Sequence, residues 1–331
     1  MKLKKFKKLL HPLRLGKQKY LSYYVKSQKY RQLIDTNPQQ ALEIFWYKRY
    51  GRDIDWDNPR TLNEKIQWLE AFTDTIQWTE CADKVLMRNY IKRLGLEKYL
   101  PKLYGVWECA EDIDFASLPK SFAIKCNHDC GSTVVVYDKD TIDFQKLCLH
   151  LNRCVSIPYG YDACEPHYTR IKRCIMAEEL LPIPDATKEH VDSQSPLDYK
   201  IWCFDGKAYA IFVCYDRING HAVFDSYDVH TWEIRRDRLS PRYRQQNFKQ
   251  IPPPIHLDEM IRVAEQLAAG FPQMRVDLYN IDGRIFIGEM TLTSAGGRMP
   301  YWSDEFQLEM GNRITLPPIT KSYYKNKRKN S

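Results

Sequence analysis

The chain has 331 residues, 44% of them hydrophobic and 28% charged, enough to bury a large core in ~2 domains or one compound domain. No apolar run approaches the roughly 20 residues needed to span a bilayer, so a membrane-spanning protein is not expected. The net charge of +8 belongs to the ends: residues 1–31 hold eleven Lys and Arg and no acid, and Lys321, Lys325, Lys327, Arg328 and Lys329 close the chain, leaving the body net acidic.

The N-terminal segment interleaves Phe6, Leu9, Leu10, Leu13 and Leu15 with its lysines. That pattern suits a helix lying on an anionic membrane surface, where each basic residue contributes about 1 kcal/mol. It also suits a solvated tail. No apolar stretch with a small-residue cleavage site follows it, so no secretory signal is expected. Zinc-finger spacing, an RNP signature and a basic zipper are all missing from the sequence, so nucleic acid is not an expected partner. The ten cysteines include no CxxC pair and read as reduced thiols of a cytoplasmic protein, peripheral on the inner membrane face if the basic segment binds lipid.

Residues 38–50 read as a helix stopped by Gly51. Thr61 followed by Glu64 forms a capping box that opens the next helix, through Ile66, Trp68 and Leu69. Residues 83–94 read as a third helix, with Leu86, Tyr90, Ile91 and Leu94 on one stripe and Lys84 at its start. From residue 119 the pattern changes to strands: 121–126, a polar turn with Asp129 and Gly131, then 133–137. Cys126, His128 and Cys130 alternate and would point one way as a zinc half-site, but no second ligand pair accompanies them. Residues 174–181 read as a buried strand, and 199–204 with 208–215 as a hairpin around Asp205-Gly206. A helix over 257–268 precedes a last hairpin of strands 274–279 and 284–290. Helices first and hairpins later argue for an α+β or α/β fold; there is no GxGxxG and no GxxxxGK[ST].

The last hairpin carries the strongest chemistry. A three-residue turn Ile281-Asp282-Gly283 would set Asn280 opposite Arg284, Asp277 opposite Ile287, and Glu289 diagonal to Asp277 on the same face, roughly 7–8 Å away at Cα. Two acids so placed suit a divalent cation, and Arg275 beside them suits phosphate oxygens; an Arg–acid surface salt bridge is the simpler alternative. Upstream, Lys125 ends an apolar strand before a turn whose N–H groups could cover phosphates, or it is an ordinary edge lysine. The run 176–181 ends an apolar strand at two acids, and Asp198-Tyr199-Lys200 opens another.

In this order, these segments resemble the ATP-grasp superfamily, and within it the TupA-like family of bacterial cell-surface polysaccharide biosynthesis. The resemblance runs from about residue 40 to 315. It is carried by residues 58–68, Ala82-Asp83-Lys84, Leu118-Pro119 with 124–128, Asp198-Tyr199-Lys200 with Phe204-Asp205-Gly206, 275–279, and 288–291. It implies an ATP-grasp fold holding the nucleotide between two α+β subdomains. The implied organisation is a basic segment 1–37, a helical region 38–117, a lid 118–182, a core 183–318 with the metal hairpin, and a basic tail 319–331. It further implies Lys84 and Lys125 on the nucleotide phosphates and a lid turn with His128, Gly131 and Ser132. Glu178, Glu179, Leu180 and Leu181 become the adenine–ribose hinge, with Asp198 and Lys200 among the nucleotide contacts. Asp277, Glu289 and Thr291 become the magnesium positions, although Thr291 stands where many ATP-grasp enzymes have Asn. Lys125, Arg275 and Arg298 would act in catalysis, Arg298 on the substrate carboxylate.

The implied activity is an ATP- and Mg2+-dependent carboxylate–amine ligase working through an acyl phosphate. Its partners would be a uronic-acid-containing glycan or precursor and an amino acid or other amine. Two rivals stand beside it: a nucleotide-sugar glycosyltransferase, suggested by the DxD-like Asp53-Ile54-Asp55, and a non-catalytic membrane-associated assembly module.

Overall fold

A computed structural model describes residues 20–191, 195–218, 221–244 and 249–321. Helices Gln28–Thr36 and Pro38–Tyr50 meet at Asn37, whose side chain accepts from the Gln40 N–H and caps the second of them. Leu21, Val25, Tyr30 and Ile34 are buried, so the second half of the basic segment packs on the core. Residues 1–19, with most of the lysines, lie outside the described residues, as does the tail from 322.

The Thr61–Glu64 capping box is formed and opens helix Leu62–Phe72. The helix expected over 83–94 is confined to Met87–Arg93, and a further helix, Ile76–Ala82, stands before it. Asp83 separates them, because its carboxylate accepts the Val85 and Leu86 N–H groups and closes a local turn. Leu86 and Leu94 consequently lie exposed rather than on a buried stripe.

Two antiparallel sheets follow. The first orders β1 (Leu103–Trp107), β4 (Ile175–Glu178), β2 (Phe122–Cys126) and β3 (Val134–Val136). One face, with Phe122, Ile124, Ile175 and Ala177, joins Leu147 and Leu151 of helix Phe144–Ser156 in a small core of its own. The strand expected over 174–181 stops at Glu178.

The second sheet orders β7 (His221–Asp228), β6 (Lys207–Ile218), β5 (Asp198–Phe204), β8 (Gln273–Ile281) and β9 (Arg284–Thr291). Alternation splits its central strands cleanly. Tyr199, Ile201, Cys203, Met274, Val276 and Leu278 enter the main core, where helix Leu257–Ala268 packs. Trp202 and Phe204 face the other way, onto Leu62, Ile66, Phe306 and Met310. Lys200, Arg275 and Asp277 share that second side by the same alternation.

The terminal hairpin departs from the expected register. Its turn has two residues, Asp282 (φ +50°) and Gly283 (φ +87°), both left-handed, so Ile281 pairs with Arg284 and Asn280 with Ile285. That register alone would set Asp277 against Gly288 and turn Glu289 to the opposite face. A bulge opposite the Asp277–Leu278 step absorbs Gly288 and sets Asp277 directly opposite Glu289. A Cβ on residue 288 would lie 2.8 Å from the Tyr279 ring and 3.3 Å from the Asp277 carbonyl oxygen. Glycine is what fits there.

Candidate active site

Three clusters of polar side chains collect the expected residues. The first lies on the first sheet, on the face away from its core. Lys125 contacts Glu178 directly, and Arg88 approaches the other Glu178 oxygen at 3.9 Å while donating to the Pro101 carbonyl at 2.6 Å. Glu179 sits at the strand end, its N–H bonded to Lys102 O and its carboxylate accepting the Lys102 N–H; Leu180 and Leu181 are half-buried beyond it.

The turn after β2 is tied down by several side-chain hydrogen bonds. Asn127 donates to Asp83 and to Lys172 O and accepts from the Cys174 N–H, so it locks the strand ends to the segment before helix Met87–Arg93. Lys84 is drawn in with it and donates to the Asp129 carbonyl at 2.5 Å. Ser132 donates to Asp129 and accepts the Cys126 N–H, and is fully buried. His128 is also buried, with Nε2 3.1 Å from Ile157 O; burial holds its pKa below the ordinary value. Gly131 faces open space. Cys126 and His128 are buried while Cys130 is exposed against Tyr159, and no group of three metal-ligating side chains exists among the described residues, so the zinc reading is not supported.

The second cluster is the charged row across β5, β8 and β9. Lys200 bridges Asp198 (2.6 Å) and Asp277. Arg275 forks onto Asp277 at 2.6 and 2.8 Å, reaches Glu289 at 3.3 Å, and donates to Thr291 Oγ1 (2.9 Å) and Ser294 Oγ (3.1 Å). Burial alone would raise the Asp277 carboxyl, but Arg275 and Lys200 outweigh it and hold it below the usual range. Burial wins at Asp198, which is raised despite Lys200. Two facing carboxylates, one nearly buried and one a quarter exposed, match what a magnesium ion takes from protein. Asp277 and Glu289 are the pair that could hold a metal in exchange for their Arg275 and Lys200 contacts; the Thr291 hydroxyl also accepts from Arg275.

The third cluster was not expected, apart from Arg298. That residue is buried, stacked 3.8 Å over the Phe45 ring, with Nη2 on Ala163 O. Near it lie Glu165, Glu70, His167 and Thr293, all 5% exposed or less. They come from a loop, two helices and the segment after β9, and nothing in their sequence spacing marks them as neighbours. The Asp53-Ile54-Asp55 pair lies elsewhere, with Asp55 closing its own turn through the Asp57 and Asn58 N–H groups.

The family model for TupA-like ATP-grasp proteins matches residues 64–315, most of the chain and all three clusters. The chain belongs to the TupA-like ATP-grasp family. ATP-grasp enzymes are ATP- and Mg2+-dependent ligases, and the two-sheet α+β architecture agrees with that fold. Among solved structures, this ATP-grasp chain is similar to the D-alanine–D-alanine ligase of Bacillus anthracis complexed with ATP (15% identity over 66% of this chain and 57% of the other, TM-score 0.38). It is also similar to the L-amino acid ligase of Bacillus licheniformis (13%, 78% and 54%, 0.41) and to the D-cycloserine synthetase DcsG (13%, 76% and 76%, 0.41). The chain spans a little over half the length of the first two. These likenesses are distant, and the family assignment rests on the family model. No curated protein matches the chain significantly.

Proposed function

We propose that this ATP-grasp protein transfers the γ-phosphoryl group of ATP to a carboxylate and joins the resulting acyl phosphate to an amine, giving an amide. The observation that carries this reading is the direct pairing of Asp277 with Glu289 under Arg275 and Lys200. Asp277 and Glu289 would hold magnesium, which when bound neutralises the nucleotide phosphates. Phosphoryl transfer asks mostly for positioning and charge. Arg275 supplies a guanidinium on the γ-phosphate side, held by Asp277, Ser294 and Thr291. Lys125 supplies a second cation from the opposite sheet, with Glu178 to fix it, and Lys84 a third. Glu178, Glu179, Leu180 and Leu181 form the hinge, with His128, Gly131 and Ser132 as the turn above the phosphates, and Asp198 orients Lys200.

The acceptor we favour is a uronic acid on a cell-surface glycan or its precursor, with an amino acid as the amine; fold-level analogy alone supports that choice. Arg298, its Nη1 without a hydrogen-bond partner among the described residues, suits the substrate carboxylate. Residues 1–19 would hold the protein on the anionic inner face of the membrane. No described helix is long and apolar enough to cross a bilayer. A screen of uronic-acid and amino-acid pairs with ADP release as readout tests the proposal. Pair-dependent ADP formation is expected; hydrolysis of a nucleotide sugar with no response to any acid would favour the glycosyltransferase reading instead.

A further inference from the structure

The phosphate-side arginine and the buried third cluster are tied to adjacent residues. Arg275 donates to Ser294, and the neighbouring Thr293 donates to Glu165 Oε1 at 2.5 Å. Thr293 lies two residues beyond the end of β9, where the chain bends into the segment Ser294–Gly297.

The cluster has a definite hydrogen-bond direction. Thr293 Oγ1 lies 3.4 Å from His167 Nε2, and His167 Nδ1 lies 3.4 Å from Glu70 Oε1. Burial, aided by Arg170, pushes His167 down to about 3, so its ring is neutral, with one N–H and one acceptor nitrogen. Burial, then Glu165, raises the Glu70 carboxyl well above the ordinary range. Nε2–H points to the Thr293 oxygen and the Thr293 hydroxyl points to Glu165, while Glu70 Oε1 stands 3.4 Å from Nδ1 without a hydrogen bond. Glu165 is therefore the terminal acceptor, and Thr293 is its carboxylate's hydrogen-bond donor among the described residues.

The cluster also holds more polar capacity than it uses. Gln67 Oε1, both Glu70 oxygens, His167 Nδ1 and Arg298 Nη1 are buried without a hydrogen-bond partner among the described residues. An apolar core would serve packing better, because each orphaned buried group costs ~1–3 kcal/mol. Such an excess of unpartnered polar groups is what a polar substrate would satisfy.

We infer that Glu165, oriented by Thr293 and His167, takes the proton from the attacking amine, an inference that rests on the ligase reading above. The incoming ammonium gives one proton to Glu165. Its freed lone pair forms the bond to the acyl carbon of the acyl phosphate, and the carbon–oxygen bond to phosphate breaks with its electron pair on phosphate. The second nitrogen proton leaves with the phosphate, giving amide and hydrogen phosphate. Burial lifts Glu165 to about 7, against the opposing pull of Thr293 and Arg298 and with help from Glu289. A base poised there suits work at neutral pH. The groups facing it are Arg298, Glu70, Glu289, Cys164 and, across the loop, Tyr159 and Tyr168.

The test compares the full chain with Glu165→Gln, using Mg-ATP, the uronic acids of the screen and two nucleophiles. Hydroxylamine is largely uncharged at neutral pH and needs no proton removed before attack; an amino acid does. The variant should form hydroxamate within about threefold of the parent and lose amide formation by ~10²–10⁴-fold. Thr293→Val should move the acid limb of the amide-forming rate to higher pH, because it removes a bond that favours ionised Glu165. Unchanged amide formation in Glu165→Gln, or equal loss of both products in folded protein, overturns the inference while leaving the ligase reading standing. If the parent forms no hydroxamate with any acid, both fall.

Discussion

Glu165→Gln should stabilise the protein at alkaline pH while impairing it as a ligase. The carboxyl moves from an ordinary 4.5 to about 7 on folding, chiefly through burial. A raised folded-state value means that the folded chain holds its proton more tightly. The associated stability is full below about pH 4.5 and is lost as pH rises through 7. At ~1.4 kcal/mol per pKa unit, the loss comes to roughly 3 kcal/mol by pH 8. Glutamine keeps the shape and can still accept from Thr293, but it has no proton to lose. Urea denaturation at pH 5 and pH 8 checks this: parent and variant should agree within ~0.5 kcal/mol at pH 5, and the variant should lead by roughly 2–3 kcal/mol at pH 8. A variant that is less stable at pH 8 than the parent would refute the reasoning. It would mean that Glu165 is ionised in the folded chain and paired, with Arg298 as the obvious partner. Gain of stability with loss of amide formation is the trade-off expected of a strained functional group.

Asp277→Asn with Glu289→Gln should abolish magnesium-dependent ATP binding by calorimetry; normal affinity in that double variant would remove the metal assignment. Gly288→Ala should cost ~1–3 kcal/mol by denaturant titration, because its Cβ meets the Tyr279 ring at 2.8 Å, and should weaken magnesium dependence by disturbing the bulge. A neutral effect on both would show that the bulge does not set the carboxylate pair. Truncation of residues 1–19 should reduce partition onto anionic liposomes without loss of thermal stability, whereas cutting further removes the buried Leu21 and Val25. Unchanged partition would end the membrane proposal and leave the fold untouched.

Local rules made much of the chain legible from sequence. Thr61 and Glu64 announce a helix start because each satisfies the other's orphan N–H, and Gly51 announces a stop because it accepts the left-handed backbone. Apolar alternation located β2, β5, β8 and β9, and the ordered charged segments at Lys125, Glu178, Asp198 and Asp277 identified the family. Register and neighbourhood were decided only by tertiary structure. The two-residue turn at Asp282-Gly283 and the bulge at Gly288 each shift the ladder by one residue in the same direction, so that Glu289 returns to the face of Asp277, and a string of alternating residues shows neither step. Strand β5 pairs with β8 across some seventy positions, which alone brings Lys200 to Asp277. Glu70, Glu165, His167 and Thr293 carry no spacing signal, because burial that shifts their protons exists only once distant segments enclose them.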